Sequence, residues 1–493
     1  MKTIPSAIPS PSVFGSLAVA FALFTRISLQ AQQPVFDWAT KLTAGDSGCC
    51  SGIVADAEGN AILTYRGAGL TNVLTKVNAL GRVVWSQRLP VGANGIAADN
   101  DGSVYVTGGT RRGLAGEPSD PFGDAGIATQ GEGSAYIAKF SSSGVLQWVR
   151  LDGHTQYATG RAVTVDSDGN YYLAVNYSRG SAQFGKTQLP STIVHEAFNV
   201  VVAKYDKGGR LKWARVGEGL DFSLSVNRIA VDRAGNVFAA GYVNDTLTFG
   251  DTVISGPTTP YLVKFSADGS LLWTRQPALA GLGGSVAIDK EGNSFLAFRL
   301  GPADVDGVGV VKYSSAGDPL WSREAQVSGG GVSVVVATDQ DGNCLLAGAF
   351  GNGTISFGQT TLATSAREEL YVVKYTTSGD LRWATQTVGI DPEGNGFGAR
   401  IPDTRLNGIA VSPLGGLIVT GTFKGTVQFG ATSLIGSGSD NFDLLLEFIT
   451  YISDPVTARP TLKIAEVDSR ETVTHVLTQT KRTATDRSGT NGR

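Results

Sequence analysis

Seven tryptophans recur along the chain, and most of them follow a lysine at one fixed distance. The tryptophans lie at positions 38, 85, 148, 213, 273, 321 and 383. Six of them have a lysine nine residues earlier, in the pairs Lys76/Trp85, Lys139/Trp148, Lys204/Trp213, Lys264/Trp273, Lys312/Trp321 and Lys374/Trp383. A constant offset indicates one structural unit that is repeated without insertions in this segment.

Each Lys/Trp segment has the pattern of a β-hairpin. An apolar run ends at the lysine, a short polar stretch closes on a glycine, and an alternating run leads to the tryptophan. The glycine supplies the positive φ that a tight turn needs. A second hairpin with a D-x-x-G-N type of turn precedes it in seven copies, which start near residues 53, 96, 162, 229, 286, 334 and 409. Four short antiparallel strands per repeat are typical of a β-propeller.

The two ends of the chain predict how the ring closes. The last copy has no tryptophan strand, whereas the segment around Trp38 looks like such a strand and has no partner strands before it. Pairing the two ends removes an open sheet edge. The sequence therefore predicts an all-β fold, a seven-bladed β-propeller with four antiparallel strands per blade, in which the N-terminal Trp38 strand completes the last blade.

A further recurring element strengthens a resemblance to a known repeat. The pattern F-G-x-x-x-L/I occurs at 184–189, 249–254, 357–362 and 429–434. Together with the Gly-Asn turns and the lysine strands, it makes residues 36–449 resemble the SBBP-type bacterial β-propeller repeat. NHL-type and quinoprotein propellers are more weakly similar. The resemblance implies an exported or surface-exposed bacterial protein, and it implies little about chemistry.

Composition excludes several classes of function. The chain has 40 Lys and Arg against 43 Asp and Glu, so it lacks the cationic excess of a nucleic-acid binder. With three histidines and three cysteines, no metal site and no cofactor are predicted. The turn at Asp99–Gly102 resembles the start of a calcium loop, but a strand follows at once and no bidentate acid closes it. We expect this turn and its copies to be held by local hydrogen bonds of the aspartate.

The two terminal segments differ from the repeat. Residues 1–31 contain a short apolar run before a small residue and are predicted to be a secretory signal peptide, because the run is too short to span a membrane. Residues 32–450 are assigned to the propeller and 451–493 to a disordered C-terminal tail. We expect a secreted, periplasmic or cell-surface monomer without a membrane span in the mature chain. Cys344 is expected in the core, while adjacent Cys49 and Cys50 are either loop residues or a vicinal disulfide.

The repeated lysines and tryptophans are expected to have structural roles. A lysine at one place in every third strand fits an ammonium near the aspartate turn or a backbone carbonyl better than a shared anion ring. The tryptophans, at constant offset on the outer strand, fit packing between blades better than a stacking surface for sugars or a quinone.

Function is predicted to lie in the loops of one face. The connections from second to third strand and from blade to blade share that face, and they carry most of the length variation, above all residues 110–134. The candidate ligand-binding residues there are Arg111, Arg112, Asp120, Asp124, His154 and Asp221. No catalytic residue is predicted. The sequence favours a non-enzymatic binding or scaffold protein that recognises a protein or a glycan, and the alternative is a polysaccharide lyase or hydrolase acting at the channel mouth.

Overall fold

The structure is a computed structural model that describes residues 35–42, 50–66, 72–110, 133–155, 157–178, 180–191, 197–220, 224–301, 306–366, 368–390, 403–424, 426–429, 432–435 and 443–450. The predicted signal peptide and tail, and Cys49, lie outside these residues.

The first half of the described chain forms an N-terminal strand and three blades. The strand is β1 (Val35–Lys41). The first blade contains β2 (Cys50–Ala55), β3 (Ala61–Arg66), β4 (Asn72–Val77) and β5 (Val83–Leu89). The second contains β6 (Ala93–Ala98), β7 (Val104–Gly109), β8 (Gly133–Phe140) and β9 (Leu146–Thr155). The third contains β10 (Tyr157–Val165) and β11 (Tyr171–Ser178), a small hairpin of β12 (Ser181–Phe184) and β13 (Thr187–Ser191), then β14 (Phe198–Tyr205) and β15 (Leu211–Gly219).

Three further blades follow. The fourth contains β16 (Ser225–Val231) and β17 (Val237–Val243), a hairpin of β18 (Thr246–Phe249) and β19 (Thr252–Ser255), then β20 (Thr259–Phe265) and β21 (Leu271–Arg275). The fifth contains β22 (Gly281–Ile288), β23 (Ser294–Leu300), β24 (Gly307–Tyr313) and β25 (Pro319–Val327). The sixth contains β26 (Gly330–Thr338) and β27 (Cys344–Gly351), a hairpin of β28 (Gly353–Phe357) and β29 (Thr360–Thr364), then β30 (Glu369–Tyr375) and β31 (Leu381–Gln386). The remaining strands are β32 (Val388–Ile390), β33 (Asp403–Ser412), β34 (Gly416–Lys424), β35 (Thr426–Phe429), β36 (Thr432–Ile435) and β37 (Asp443–Thr450).

The last sheet combines both ends of the described chain. Its strand order is β1-β37-β34-β33, and β1 pairs antiparallel with β37, with Trp38 opposite Phe448. The inner strands contact one another in the order β2, β6, β10, β16, β22, β26, β33 and back to β2. This arrangement of antiparallel sheets around a channel is a β-propeller.

The structure corrects the prediction of a seven-bladed ring with four strands in every blade. Six blades are each made from one continuous stretch of chain, and the remaining sheet is the composite of the two ends. The blades are also unequal, since two of the sheets have six strands. The reason lies in the small hairpins: β18 pairs with β15 of the preceding blade, and β28 pairs in the same way with β25.

These hairpins explain the F-G-x-x-x-L/I element. The phenylalanines Phe184, Phe249 and Phe357 are buried, and the glycine after each has a positive φ of 57° to 61° at the hairpin turn. The hairpins β18–β19 and β28–β29 thereby add strands to the outer edge of the preceding blade's sheet and join adjacent blades.

The aspartate turns are held by local hydrogen bonds, as predicted. Asp56 Oδ1 accepts from the backbone N–H of Glu58 and of Asn60, at 3.1 and 2.8 Å. Its other oxygen lies 2.7 Å from Lys76 Nζ in the same blade. The same ion pair recurs in the other five continuous blades, as Asp99–Lys139, Asp166–Lys204, Asp232–Lys264, Asp289–Lys312 and Asp339–Lys374. The structural role expected for the lysines is therefore confirmed.

The expected packing of tryptophans between blades is also confirmed. The indole nitrogens of Trp85, Trp213 and Trp321 each donate to a carbonyl in the turn of the next blade, at 3.0 Å. Buried Cys344 is part of the core, as predicted, and burial raises the pKa of its thiol. No helix within the described stretches is long and apolar enough to cross a membrane.

Candidate functional site at the channel mouth

Every inner strand is interrupted by a β-bulge at the same position. The pairing with the second strand shifts at Ser51, Asn94, Arg161, Asn227, Gly283–Gly284, Gly331–Val332 and Asn407. A bulge leaves one residue outside the ladder and re-aims its side chain, and bulges are frequent next to functional sites. Because the inner strands begin at the face that carries the variable loops, these bulges form a ring around the channel near that face. We call this ring the bulge ring, and its opening the channel mouth.

The bulge ring lines a cavity of about 370 Å³. Its lining includes Asn94, Arg161 and Asn227 from the bulges, together with Arg228 and Ser285 from the positions that follow them. Glycines 283 and 284 contribute backbone without side chains. The volume lies at the small end of the range of roughly 300–1,000 Å³ that is typical for ligand sites. The cavity is therefore of a size for a small ligand or for one group of a larger partner.

Hydrogen bonds fix part of this lining. Asn94 Nδ2 donates to Thr159 Oγ1 at 3.1 Å and to the Gly160 carbonyl at 2.9 Å, so its amide is held against the neighbouring inner strand. Arg228 Nη1 donates to the Asn227 carbonyl at 3.1 Å. Asn227 Oδ1 is buried and has no hydrogen-bond partner among the described residues. A buried acceptor without a donor costs free energy, and a ligand hydroxyl would satisfy it.

The charged side chains in the described lining of the cavity are all positive. Arg161 and Arg228 are both in the lining, and the described lining contains no carboxylate. A second cavity of about 180 Å³ shares Asn94 and Arg228 with the mouth and is otherwise lined largely by aliphatic side chains such as Ile53, Ile229 and Val336. The mouth is thus a cationic, amide-rich cavity next to aliphatic side chains.

The opposite end of the channel has a different chemistry. A cavity of about 790 Å³ there is lined by the aspartate turns, including Asp56, Asp232 and Asp339. These carboxylates are paired with the lysines of their own blades. Burial alone would raise the pKa of Asp56, but hydrogen bonds from Lys76 and Asn60 outweigh it and lower that pKa. The aspartates serve the turns, and within the described chain no cluster of three or more His, Cys, Asp or Glu is placed to hold a metal ion.

Of the residues predicted from sequence as ligand-binding, the structure describes only the backbone of His154. Arg111, Arg112, Asp120, Asp124 and Asp221 lie outside the described residues. The backbone of His154 is part of β9, the outermost strand of its sheet, which places it away from the inner strands. These predictions remain untested.

The bulge residues were not identified from the sequence. A signal was present in the aligned repeats. Segments ANGIA, TGRAV, VNRIA and LNGIA share an Asn or Arg before or within the same apolar run. A polar side chain at one repeated position of an inner strand indicates a ring that faces the channel.

No protein-family model and no curated protein matches the chain. Among solved structures, the β-propeller domain of the trilobed protease from Pyrococcus furiosus aligns with 80% of this chain and 97% of its own, at 8% identity and a TM-score of 0.42. The GH74 xyloglucanase from Xanthomonas campestris aligns with 78% of this chain at 14% identity and a TM-score of 0.41, and the match spans about half (53%) of the xyloglucanase. A protein of unknown function from Bacteroides caccae aligns with 57% of this chain and 83% of its own, at 11% identity and a TM-score of 0.33. The assignment of the fold therefore rests on the strand order, and the function has to be argued from the site.

Proposed function

We propose that this protein is a non-enzymatic binding protein that takes its ligand at the channel mouth. The observation that carries the proposal is the β-bulge at one level of every inner strand, which places polar residues around a single cavity. A bulge leaves one residue outside the ladder and changes the direction of the side chains beside it. The bulges turn these positions toward the channel.

The alternative of a polysaccharide lyase or hydrolase finds less support. Such an enzyme needs an acid or base beside the reacting atoms, most often a carboxylate, histidine or tyrosine. The described lining of the mouth offers Asn, Arg and Ser instead. These side chains bind and orient groups, but Asn and Arg do not exchange protons near neutral pH.

We further propose that the protein acts outside the cytoplasm, in the periplasm or at the cell surface. The apolar run in residues 1–31 supports export. The partner is then a protein or a glycan of that compartment, and the loop segments beside the mouth supply additional contacts.

The experiment combines an array of neutral and acidic oligosaccharides with a pull-down from an envelope fraction, using the purified chain from residue 32. Asn227→Ala changes the mouth, and Arg233→Ala changes an exposed residue at the opposite cavity. Binding that is weakened by Asn227→Ala and retained by Arg233→Ala supports the proposal. Binding that survives changes at Asn227 and Arg161 alike, or turnover of an oligosaccharide, contradicts it.

A further inference from the structure

The two arginines of the mouth differ from four arginines on the outer strands. Arg150, Arg215, Arg275 and Arg323 follow tryptophans on outer strands, and each donates to a glycine carbonyl in the turn of the next blade. Their guanidinium groups are already used in joining blades. Arg161 and Arg228 instead lie on inner strands and line the cavity.

The charge of Arg161 is not neutralised within the described structure. It is half-buried, and none of the described carboxylates lies within ion-pair distance of it. By contrast, the lysine of every continuous blade has an aspartate partner. A half-buried guanidinium without a carboxylate partner is costly to remove from water unless an anion reaches it.

The neutral groups of the cavity indicate that a ligand would also donate a hydrogen bond. Asn227 Oδ1 needs a hydrogen-bond donor, and Arg161 and Arg228 donate only. A ligand that fits both requirements carries an anionic group next to hydroxyls. A Cβ at Gly283 would have only Asn227 Nδ2 within 4 Å, at 3.9 Å, so this glycine leaves space in the cavity. The volume of about 370 Å³ suits one or two sugar rings.

We propose that the channel mouth binds an acidic sugar, whose anionic group is held by Arg161 and Arg228 while a hydroxyl donates to Asn227 Oδ1. This inference rests on the proposed function and adds the class of ligand to it. Guanidinium pairs bind carboxylate, sulfate and phosphate groups through the same fork of N–H donors. The shared chemistry is therefore an anion on a hydroxylated ring.

The test is calorimetric titration of the purified chain with four probes: digalacturonic acid, the matching neutral digalactose, a sulfated disaccharide and glucose 6-phosphate. We expect at least one acidic probe to bind about tenfold or more tightly than digalactose, which is at least about 1.4 kcal/mol. The three acidic probes distinguish which anion the site prefers. Binding of the preferred probe is expected to weaken as salt rises.

Variants separate this inference from the proposed function. Arg161→Gln and Arg228→Gln are each expected to weaken binding of the acidic probe about tenfold more than they weaken binding of digalactose, while Arg233→Gln at the opposite end changes neither. Melting curves of the variants check folding. If digalactose binds as tightly as the acidic probes and Asn227→Ala abolishes it, the acidic-sugar inference is wrong and the binding function stands. If no acidic probe binds, the inference is overturned.

Discussion

Trp213 and Ala267 belong to adjacent blades and are joined by a hydrogen bond of 3.0 Å from the indole nitrogen to the backbone carbonyl. Lys204, which is paired directly opposite Trp213 in the sheet, donates to the same oxygen at 3.3 Å. Arg215 donates to the Gly269 carbonyl at 2.6 Å, in the same turn. One turn of the fourth blade is therefore held by three side chains of the third, which explains why lysine and tryptophan recur together.

Replacing Trp213 with phenylalanine is expected to lower the free energy of unfolding by about 1 kcal/mol. The change removes the indole donor but keeps most of the apolar contact, and the carbonyl of Ala267 keeps Lys204 as a donor. Trp213→Ala is expected to cost about 3–5 kcal/mol, because nearly all of the buried ring is lost. Urea unfolding of both variants measures the difference, and equal costs would contradict the separate roles of the ring and its nitrogen.

A methyl group at Gly269 is expected to separate this turn from Trp213. A Cβ built there lies 2.7 Å from the indole ring, at a φ of +87°. Gly250 is the matched control, because it also has a positive φ of +57° but nothing within 4 Å of its Cβ. We expect Gly250→Ala to cost about 1–2 kcal/mol through its backbone alone, and Gly269→Ala to cost clearly more. Similar melting temperatures for the two variants would show that the close approach does not matter.

The repeated hairpins were predictable from sequence because their contacts are local. Lys204 and Trp213 face each other across a single tight turn, so a constant offset of nine residues fixes their pairing. The same argument gave the aspartate turns, in which donor and acceptor are two and four residues apart. The pairing of β1 with β37 also follows from pattern, since each end lacks what the other supplies.

The exchanged hairpins and the bulge ring were not predictable in this way. β18 joins β15 of the preceding blade, and nothing in the F-G element itself states which strand it pairs with. Arg161 and Asn227 reach the channel because the pairing of the strands shifts beside them. A prediction that assumes side chains alternate regularly between the two faces of a strand does not place them there. The loop residues proposed from sequence, such as Arg111, were chosen for variability, which indicates a face but no geometry.

Acid is expected to remove the contribution of Asp56 to stability. Its pKa in the folded protein is below the ordinary value of 3.8, so the ionised form is favoured by folding. This stability is fully present well above pH 3.8 and is lost as the pH falls through the lowered pKa. Asp56→Asn should therefore cost on the order of 2 kcal/mol at pH 7 and distinctly less near pH 3. Trp213→Phe serves as the control, since its cost should not depend on pH in this range.

Of the two aspartate–arginine pairs Asp152–Arg150 and Asp306–Arg299, the first is expected to contribute more to the free energy of unfolding. The Asp152 carboxylate is buried and accepts from Arg150 Nε at 3.0 Å, from the Tyr205 hydroxyl at 2.9 Å and from the Gly185 N–H at 3.1 Å, in the turn of the β12–β13 hairpin. Burial raises the pKa of Asp152, and the nearby charge of Arg150 opposes this rise.

Asp152→Ala is thus expected to lower the free energy of unfolding by about 3 kcal/mol, because it leaves the guanidinium of Arg150, the Tyr205 hydroxyl and the Gly185 N–H without their acceptor. Asp306→Ala removes the other pair, in which Asp306 lies 2.6 Å from Arg299 and both side chains are substantially exposed. That change is expected to cost about 1 kcal/mol or less despite the shorter distance, since solvent screens an exposed pair. Denaturant titration of the two variants decides the point, and a larger loss for Asp306→Ala would mean that distance outweighs burial in this propeller.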